Sequence, residues 1–140
     1  MIAFFDTSAL IKRYIVEPGS PMVDTIYDEA DSIFVSVVSE IEAHSTFRRP
    51  LIEKAITSSD HLVLKEEFGL DFEFFNVVQL DGPVIESAKT LIYKYQLKTL
   101  DSIQLASALS LAGEIDAFIV CDERLIRAGK KEGLKIINPS

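Results

Sequence analysis

The chain has 140 residues, 48% hydrophobic and 26% charged, enough to bury a core and too apolar for a disordered tail. Fourteen Lys and Arg against 22 Asp and Glu leave a net charge of −8, which excludes a diffuse coat for polyanions. An acidic nucleic-acid enzyme stays open, because metal ions can shield an acidic centre. Cys121 is the single cysteine, so no internal disulfide forms and no oxidising compartment is required. Met1 to Phe5 is too short for a signal peptide, and no uncharged span reaches bilayer length. The expectation is a soluble, intracellular, cytoplasmic protein without membrane contact, one domain over residues 1–140.

In chain order, a strand is predicted over Ile2–Phe5, with Asp6-Thr7-Ser8 leading into a first helix. Pro18-Gly19-Ser20 forms a turn, and Pro21 opens a helix to Ala30. A strand over Ile33–Val35 precedes a helix over Ser39–Arg48, which Pro50 should break or kink at Arg49. Thr57 to Asp60 reads as a loop, and His61 to about Phe72 as a helix. Then come a strand over Phe75–Val78, the boundary Asp81-Gly82-Pro83, and helices over Val84–Tyr95 and Ser102–Ala112. A strand over Ala117–Cys121, a helix over Glu123–Glu132, Gly133 and a strand over Lys135–Ile137 close the chain. Short apolar strands alternating with Ala, Leu, Glu and Lys-rich helices give an α/β fold. Its three layers are α/β/α, around a mostly parallel central sheet of about five short strands.

The positions of four acids carry the functional information. Asp6 follows the first strand and Asp122 the fourth, and functional groups gather beyond the carboxyl ends of parallel strands. Asp101 opens the apolar run Ile103 to Ala108, where free backbone N–H groups stabilise an anion. Glu42 is placed in the first turn of the helix after Ile33–Val35. Carboxylates at close range raise one another's pKa unless a cation intervenes. Oxygen ligands without His or Cys select Mg²⁺ or Mn²⁺, which activate water and offset charge on a phosphodiester. Hydrolysis of nucleic acid is the chemistry such a cluster serves best.

Each acid also has an ordinary reading. Asp6, Asp101 and Asp122 can each cap a helix, Thr99 competing with Asp101. Ser39-Glu40-Ile41-Glu42 matches a capping box, in which Glu42 only reaches back to the Ser39 N–H. Capping does not account for every one of these acids falling at the same end of the sheet.

With these residues in place, the chain resembles the PIN domain family, in particular the VapC-like ribonuclease toxins of type II toxin–antitoxin systems. Phe5-Asp6-Thr7-Ser8-Ala9-Leu10-Ile11-Lys12-Arg13-Tyr14 and Leu97-Lys98-Thr99-Leu100-Asp101-Ser102-Ile103-Gln104-Leu105-Ala106 are the most specific segments. Phe118 to Leu125 and Glu132 to Pro139 agree in order and spacing, while Pro50 to Phe74 matches least. The resemblance implies Asp6 and Asp101 as central Mg²⁺ or Mn²⁺ ligands, with Asp122 in the same cluster. The family's spacing from Ser36 through an acid to Arg49 selects Glu42, with Glu40 in reserve. Seven residues place Glu42 and Arg49 on one helix face, from which the cation can meet a phosphate. Val120 stands where relatives often carry Ser or Thr, and Ser102 where alanine is common. Val120 removes a hydroxyl that relatives place near the metal or phosphate, Ser102 is a small change, and every acid is kept.

Arg49, Lys98 and Lys12 are the cations expected at an RNA backbone, with Arg13, Arg48 and Lys94 as further rim candidates; each also reads as a solvated surface charge. His44 and His61 lack metal-pair spacing, and Cys121 reads as the end of a buried strand. Tyr93 and Tyr95 are expected to pack, as are Phe68, Phe72, Phe74 and Phe75, in the core or against a subunit. The leading function is a metal-dependent endoribonuclease acting on RNA. The alternative is a catalytically weak PIN-like RNA-binding or scaffold module. A dehalogenase-like phosphatase wants a second Asp two residues after Asp6, where Ser8 stands. The resemblance further implies a small cognate antitoxin and a homodimer; Met22, Val23, Ile26 and Tyr27 read equally as an apolar face for it or as plain core packing.

Overall fold

The computed structural model describes all residues from Met1 to Ser140. Five strands, β1 (Ile2–Phe5), β2 (Ser32–Ser36), β3 (Asn76–Val78), β4 (Ala117–Ile119) and β5 (Ile136–Ile137), form one sheet. Its order is β3-β2-β1-β4-β5, and every neighbouring pair is parallel. Chain order reverses at the β1–β4 junction, which opens the crevice where such sheets place their sites.

The helices are α1 (Thr7–Leu10), running into a 3₁₀ turn at Ile11–Arg13, α2 (Ser20–Glu29), α3 (Val38–Ile52) and α4 (Ser58–Phe74). They continue with α5 (Gly82–Tyr95), α6 (Thr99–Leu109) and α7 (Glu123–Lys131). Side chains alternate across a strand, so each central strand feeds two cores. Phe4, Phe118 and Val120 face one core with α5, α6 and α7, whereas Ala3, Phe5, Ala117 and Ile119 face the other with α1 to α4. That is the expected α/β/α layering. No helix is long and apolar enough to cross a membrane.

Several boundaries differ from the sequence expectation for local reasons. Pro50 lies inside α3 rather than ending it at Arg49. In the last turn it forfeits little more than its own bond to the Thr46 carbonyl, and the helix closes two residues later. Thr57 and Asp60 form a reciprocal capping box that starts α4 at Ser58, earlier than His61. Val23 and Ile26 are buried in the core, so of the candidate face on α2 only Met22 is exposed, with Tyr27 half-buried beside it. Phe68 and Phe75 pack as expected, but Phe74 is 84% exposed and Tyr93 88% exposed.

The loop before α2 fixes the end of the chain. Gly19 has φ +94°, and a Cβ there would lie 1.4 Å from the Pro139 carbonyl oxygen. Gly133 has φ +90° but open space around it. Gly133→Ala therefore meets only the left-handed backbone penalty, about 1 kcal/mol. Gly19→Ala adds a collision between two main chains, and urea unfolding is expected to show the larger loss for it.

Candidate active site

Asp6 continues β1, and its backbone N–H donates to the Ile119 carbonyl of β4 at 3.0 Å, which fixes it at the strand-order reversal. It occupies the N-cap position of α1, yet its side chain makes no capping hydrogen bond. Instead the Ser8 hydroxyl donates to Asp6 Oδ2 at 2.6 Å. Asp6 as a whole is 6% exposed. Burial pushes its pKa up to about 7, Glu42 and Asp101 adding to the rise and the Ser8 hydrogen bond opposing it.

Glu42 comes from the second turn of α3, not the first, because the helix starts at Val38. Its capping-box role is also absent: Val37 is the N-cap and no side chain caps it. Instead Glu42 Oε1 accepts from the Thr7 hydroxyl and from Gln104 Nε2, both at 2.9 Å. Ser39 Oγ lies 2.8 Å from Thr7 Oγ1, and Gln104 Nε2 is 3.1 Å from Ser39 Oγ and 2.9 Å from Thr7 Oγ1. Thr7 donates to Glu42, so Ser39 donates to Thr7, and the two Nε2 protons of Gln104 serve the three oxygens of Glu42, Thr7 and Ser39. One carboxylate oxygen is thus held from α1 and α6, and no hydrogen bond engages Oε2. Gln104 Oε1 stays buried without a partner. Glu40, the reserve candidate, is exposed one helix face away.

Asp101 is the third residue of α6, whose N-cap is Lys98, so it is no cap. Burial raises its pKa, with Asp122 and Glu42 adding to the rise and Lys98 lowering it. Asp122 does cap: its Oδ1 accepts from the Leu125 N–H at 3.0 Å, opening α7. Asp101, Asp122, Lys98, Glu123 and Arg124 line one pocket, and Ser8, Glu42 and Thr7 line another beside Ile41 and Leu100.

The four acids converge on the carboxyl edge of the sheet without closing into a ligand shell. Asp6 couples to Glu42 and Asp101, and Asp101 to Glu42 and Asp122, but no three such side chains are set to hold one ion. The two findings concern different ranges, since Coulombic coupling reaches further than the roughly 2.0–2.1 Å of Mg²⁺–oxygen ligation. In donor chemistry the site fits a hard divalent cation: carboxylate oxygen throughout, with neither His nor Cys.

Of the expected cations, only Lys98 lines the acid pocket. Arg49 is exposed on α3, roughly 10 Å along the helix from Glu42. Lys12 donates to the Pro18 carbonyl at 2.6 Å and pairs with Glu17 at 3.2 Å, its side chain 11% exposed. It serves the loop before α2. Val120 is fully buried in the core, and the Ser102 hydroxyl donates to the Thr99 carbonyl at 2.6 Å, so neither supplies a hydroxyl to the acids. Burial raises the Cys121 thiol pKa, against a thiolate role. From the sequence, Gln104 and Thr7 carry no site role, and Ser39 only that of a helix cap, which Val37 holds instead. The available signal was a glutamine inside the otherwise small or apolar run Ser102 to Ala108, all of it buried.

A PIN domain family model matches residues 3–131. The chain belongs to the PIN domain family. It is 29% identical to Ribonuclease VapC47 of Mycobacterium tuberculosis (strain CDC 1551 / Oshkosh) over 136 residues, covering 97% of this chain and 96% of that one. Ribonuclease VapC45 of the same strain is 23% identical over 135 residues, 96% and 94% of the two chains. The PIN fold also superimposes on FitAcB from Neisseria gonorrhoeae, with a TM-score of 0.75 at 17% identity over 99% and 98% of the chains. VapBC2 from Rickettsia felis, bound to a promoter DNA fragment, gives a TM-score of 0.65 at 11% identity over 99% and 98%.

The raised Asp6 pKa fixes a sign for stability. Folded, the carboxyl holds its proton more tightly than when unfolded, where the reference value is 3.8. Ionisation therefore weakens the fold progressively from about pH 4, and fully above about 7. In metal-free buffer, Asp6→Asn is expected to melt above wild type at pH 8. The gap should close as the pH falls toward 4, followed by circular dichroism.

Proposed function

We propose that this PIN domain protein is a metal-dependent endoribonuclease, the toxin of a toxin–antitoxin pair. The observation that carries the reading is Asp6, buried at the strand-order reversal beside Glu42 and Asp101, with no Lys or Arg paired to it. A carboxylate so placed is favoured only when a cation joins it. The VapC relatives, aligned over nearly their whole length, support ribonuclease chemistry.

In this reading Asp6 and Asp101 hold Mg²⁺ or Mn²⁺, with Asp122 and Glu42 completing the acidic set. The bound ion supplies a water of lowered pKa and offsets charge on the phosphodiester. Thr7 and Gln104 orient Glu42, so its unengaged Oε2 is presented in a fixed direction. Asp122 holds its position through the cap on Leu125 N–H, leaving its second oxygen to the site. Lys98, which lines the acid pocket, meets a phosphate beside the acids, and Arg49, exposed on α3, meets the RNA farther along that helix. Lys12, committed to Pro18 and Glu17, acts only by holding that loop. A small antitoxin is the partner that keeps the site inactive, and a second copy of the chain completes a homodimer.

Asp101→Asn removes one negative charge and keeps the side-chain shape. Purified variant is expected to retain its circular dichroism spectrum and to lose RNA cleavage by on the order of 10²-fold or more. Millimolar Mg²⁺ should raise the melting temperature of wild type more than that of the variant. Cleavage that persists in EDTA, or is untouched by Asp101→Asn, defeats the proposal, and RNA binding by wild type without cleavage in Mg²⁺ favours the binding-module reading.

A further inference from the structure

Charge is unevenly distributed in this acidic chain. Helix α7 spans nine residues and carries four of the fourteen basic side chains, Arg124, Arg127, Lys130 and Lys131, against one acid, Glu123. Arg124, Arg127 and Lys131 stand at i, i+3 and i+7, hence on one helical face. That face forms one wall of a cleft of about 300 Å³, opposite Lys94, Tyr95 and Gln96 at the end of α5. Two acids temper the charge. Glu132 accepts from Lys94 at 2.7 Å and from the Tyr95 hydroxyl, and Glu123 lies 3.8 Å from Arg127. No ion pair engages Arg124 or Lys131, and both are exposed.

The position of this cleft gives it direction. Arg124 lines it and also lines the pocket of Asp101 and Asp122, two residues beyond the α7 cap. The cation row then runs roughly 10 Å away from the acids along α7. Half-buried Tyr95 supplies an aromatic wall, with the Lys94 ammonium 5.3 Å from its ring centroid. A cationic groove with an aromatic side, open at one end onto carboxylates, matches the requirements of a single-stranded polynucleotide backbone.

We propose that the α5–α7 cleft is a phosphate-backbone track, which receives single-stranded RNA on one side of the cleavage position. The proposal rests on the nuclease reading only for its direction. An acidic protein segment is the competing occupant, and continuity with the acid pocket through Arg124 favours RNA.

The test is fluorescence anisotropy with a fluorescein-labelled, mixed-sequence single-stranded RNA in EDTA, titrated across salt concentrations. For Arg127→Gln/Lys131→Gln, the slope of log affinity against log salt is expected to shrink by about 0.7 per charge removed. Arg127→Lys/Lys131→Arg should restore it. Lys65→Gln/Lys89→Gln changes net charge equally, outside the cleft, and should leave the slope at the wild-type value. A wild-type slope in the first variant, the result expected of an acidic protein occupant, overturns the track. So does an equal drop in the Lys65/Lys89 pair. Wild-type cleavage in Mg²⁺, run alongside, separates the two claims. If wild type cleaves while the cleft variant keeps its slope, only the track is lost. If wild type binds RNA with a cleft-dependent slope but never cleaves, only the nuclease reading is lost.

Discussion

A carboxylate buried at the end of β1 among other carboxylates is the constraint around which this molecule is arranged. The parallel sheet brings all strand ends to one edge, and the reversal of order at β1 and β4 leaves a crevice there. Asp6 cannot withdraw from that crevice, because its own N–H is tied to Ile119 on the neighbouring strand. Relief for its carboxyl comes from Ser8 alone, chiefly from the hydroxyl. A fold selected for stability alone would place an apolar or paired residue at this point; a locally unfavourable site supported by a sound core signals chemistry.

Glu42 shows the opposite treatment a few residues of space away. Its Oε1 receives donors from Thr7 on α1 and Gln104 on α6, with Ser39 completing the network. Helix α6 packs on one face of the sheet, whereas α1 and α3 pack on the other. They can meet only where the sheet stops, at its carboxyl edge. The network therefore joins the two helical layers at the point where no strand separates them. Aligning Glu42 and docking the layers are one interaction. The unpartnered Gln104 Oε1 is the cost of aiming its amide nitrogen at three oxygens, about 1–3 kcal/mol for a buried carbonyl.

Much of this was legible because the strands are short, apolar and separated by helices, and because an acid just past a parallel strand has a known location in space. Asp6 and Asp122 are placed by that rule alone. Individual roles were less legible, since capping and site functions draw on the same residue types. Of the four acids only Asp122 caps. The Ser39–Glu42 spacing suggested a capping box, but α3 begins at Val38, so Ser39 is not the cap, and Glu42 bonds Thr7 and Gln104 instead. Pro50 misled because a proline's effect depends on its distance from the helix end. Lys12 read as a free cation because nothing in its own segment reveals that Pro18 and Glu17 fold back onto it.

The basic row on α7 illustrates why net charge was a weak guide to partners. Spacing alone puts Arg124, Arg127 and Lys131 on one face, but the opposing wall comes from α5, some thirty residues earlier in the chain. At physiological ionic strength charges are screened beyond roughly 8 Å. A polyanion within the cleft is governed by Arg124, Arg127, Lys131 and Lys94 at contact range, not by acids such as Asp28 or Glu66 elsewhere on the surface. The total of −8 sets how any polyanion approaches from afar. Once a phosphate is seated, the row and the acid centre beside it form a steep local gradient along the direction of α7, positive in the cleft and negative at Asp101. In the proposed nuclease reading that gradient would oppose a phosphate entering the acid pocket without a cation, and a bound cation would relieve it, so metal loading and strand entry would be coupled through the same electrostatics.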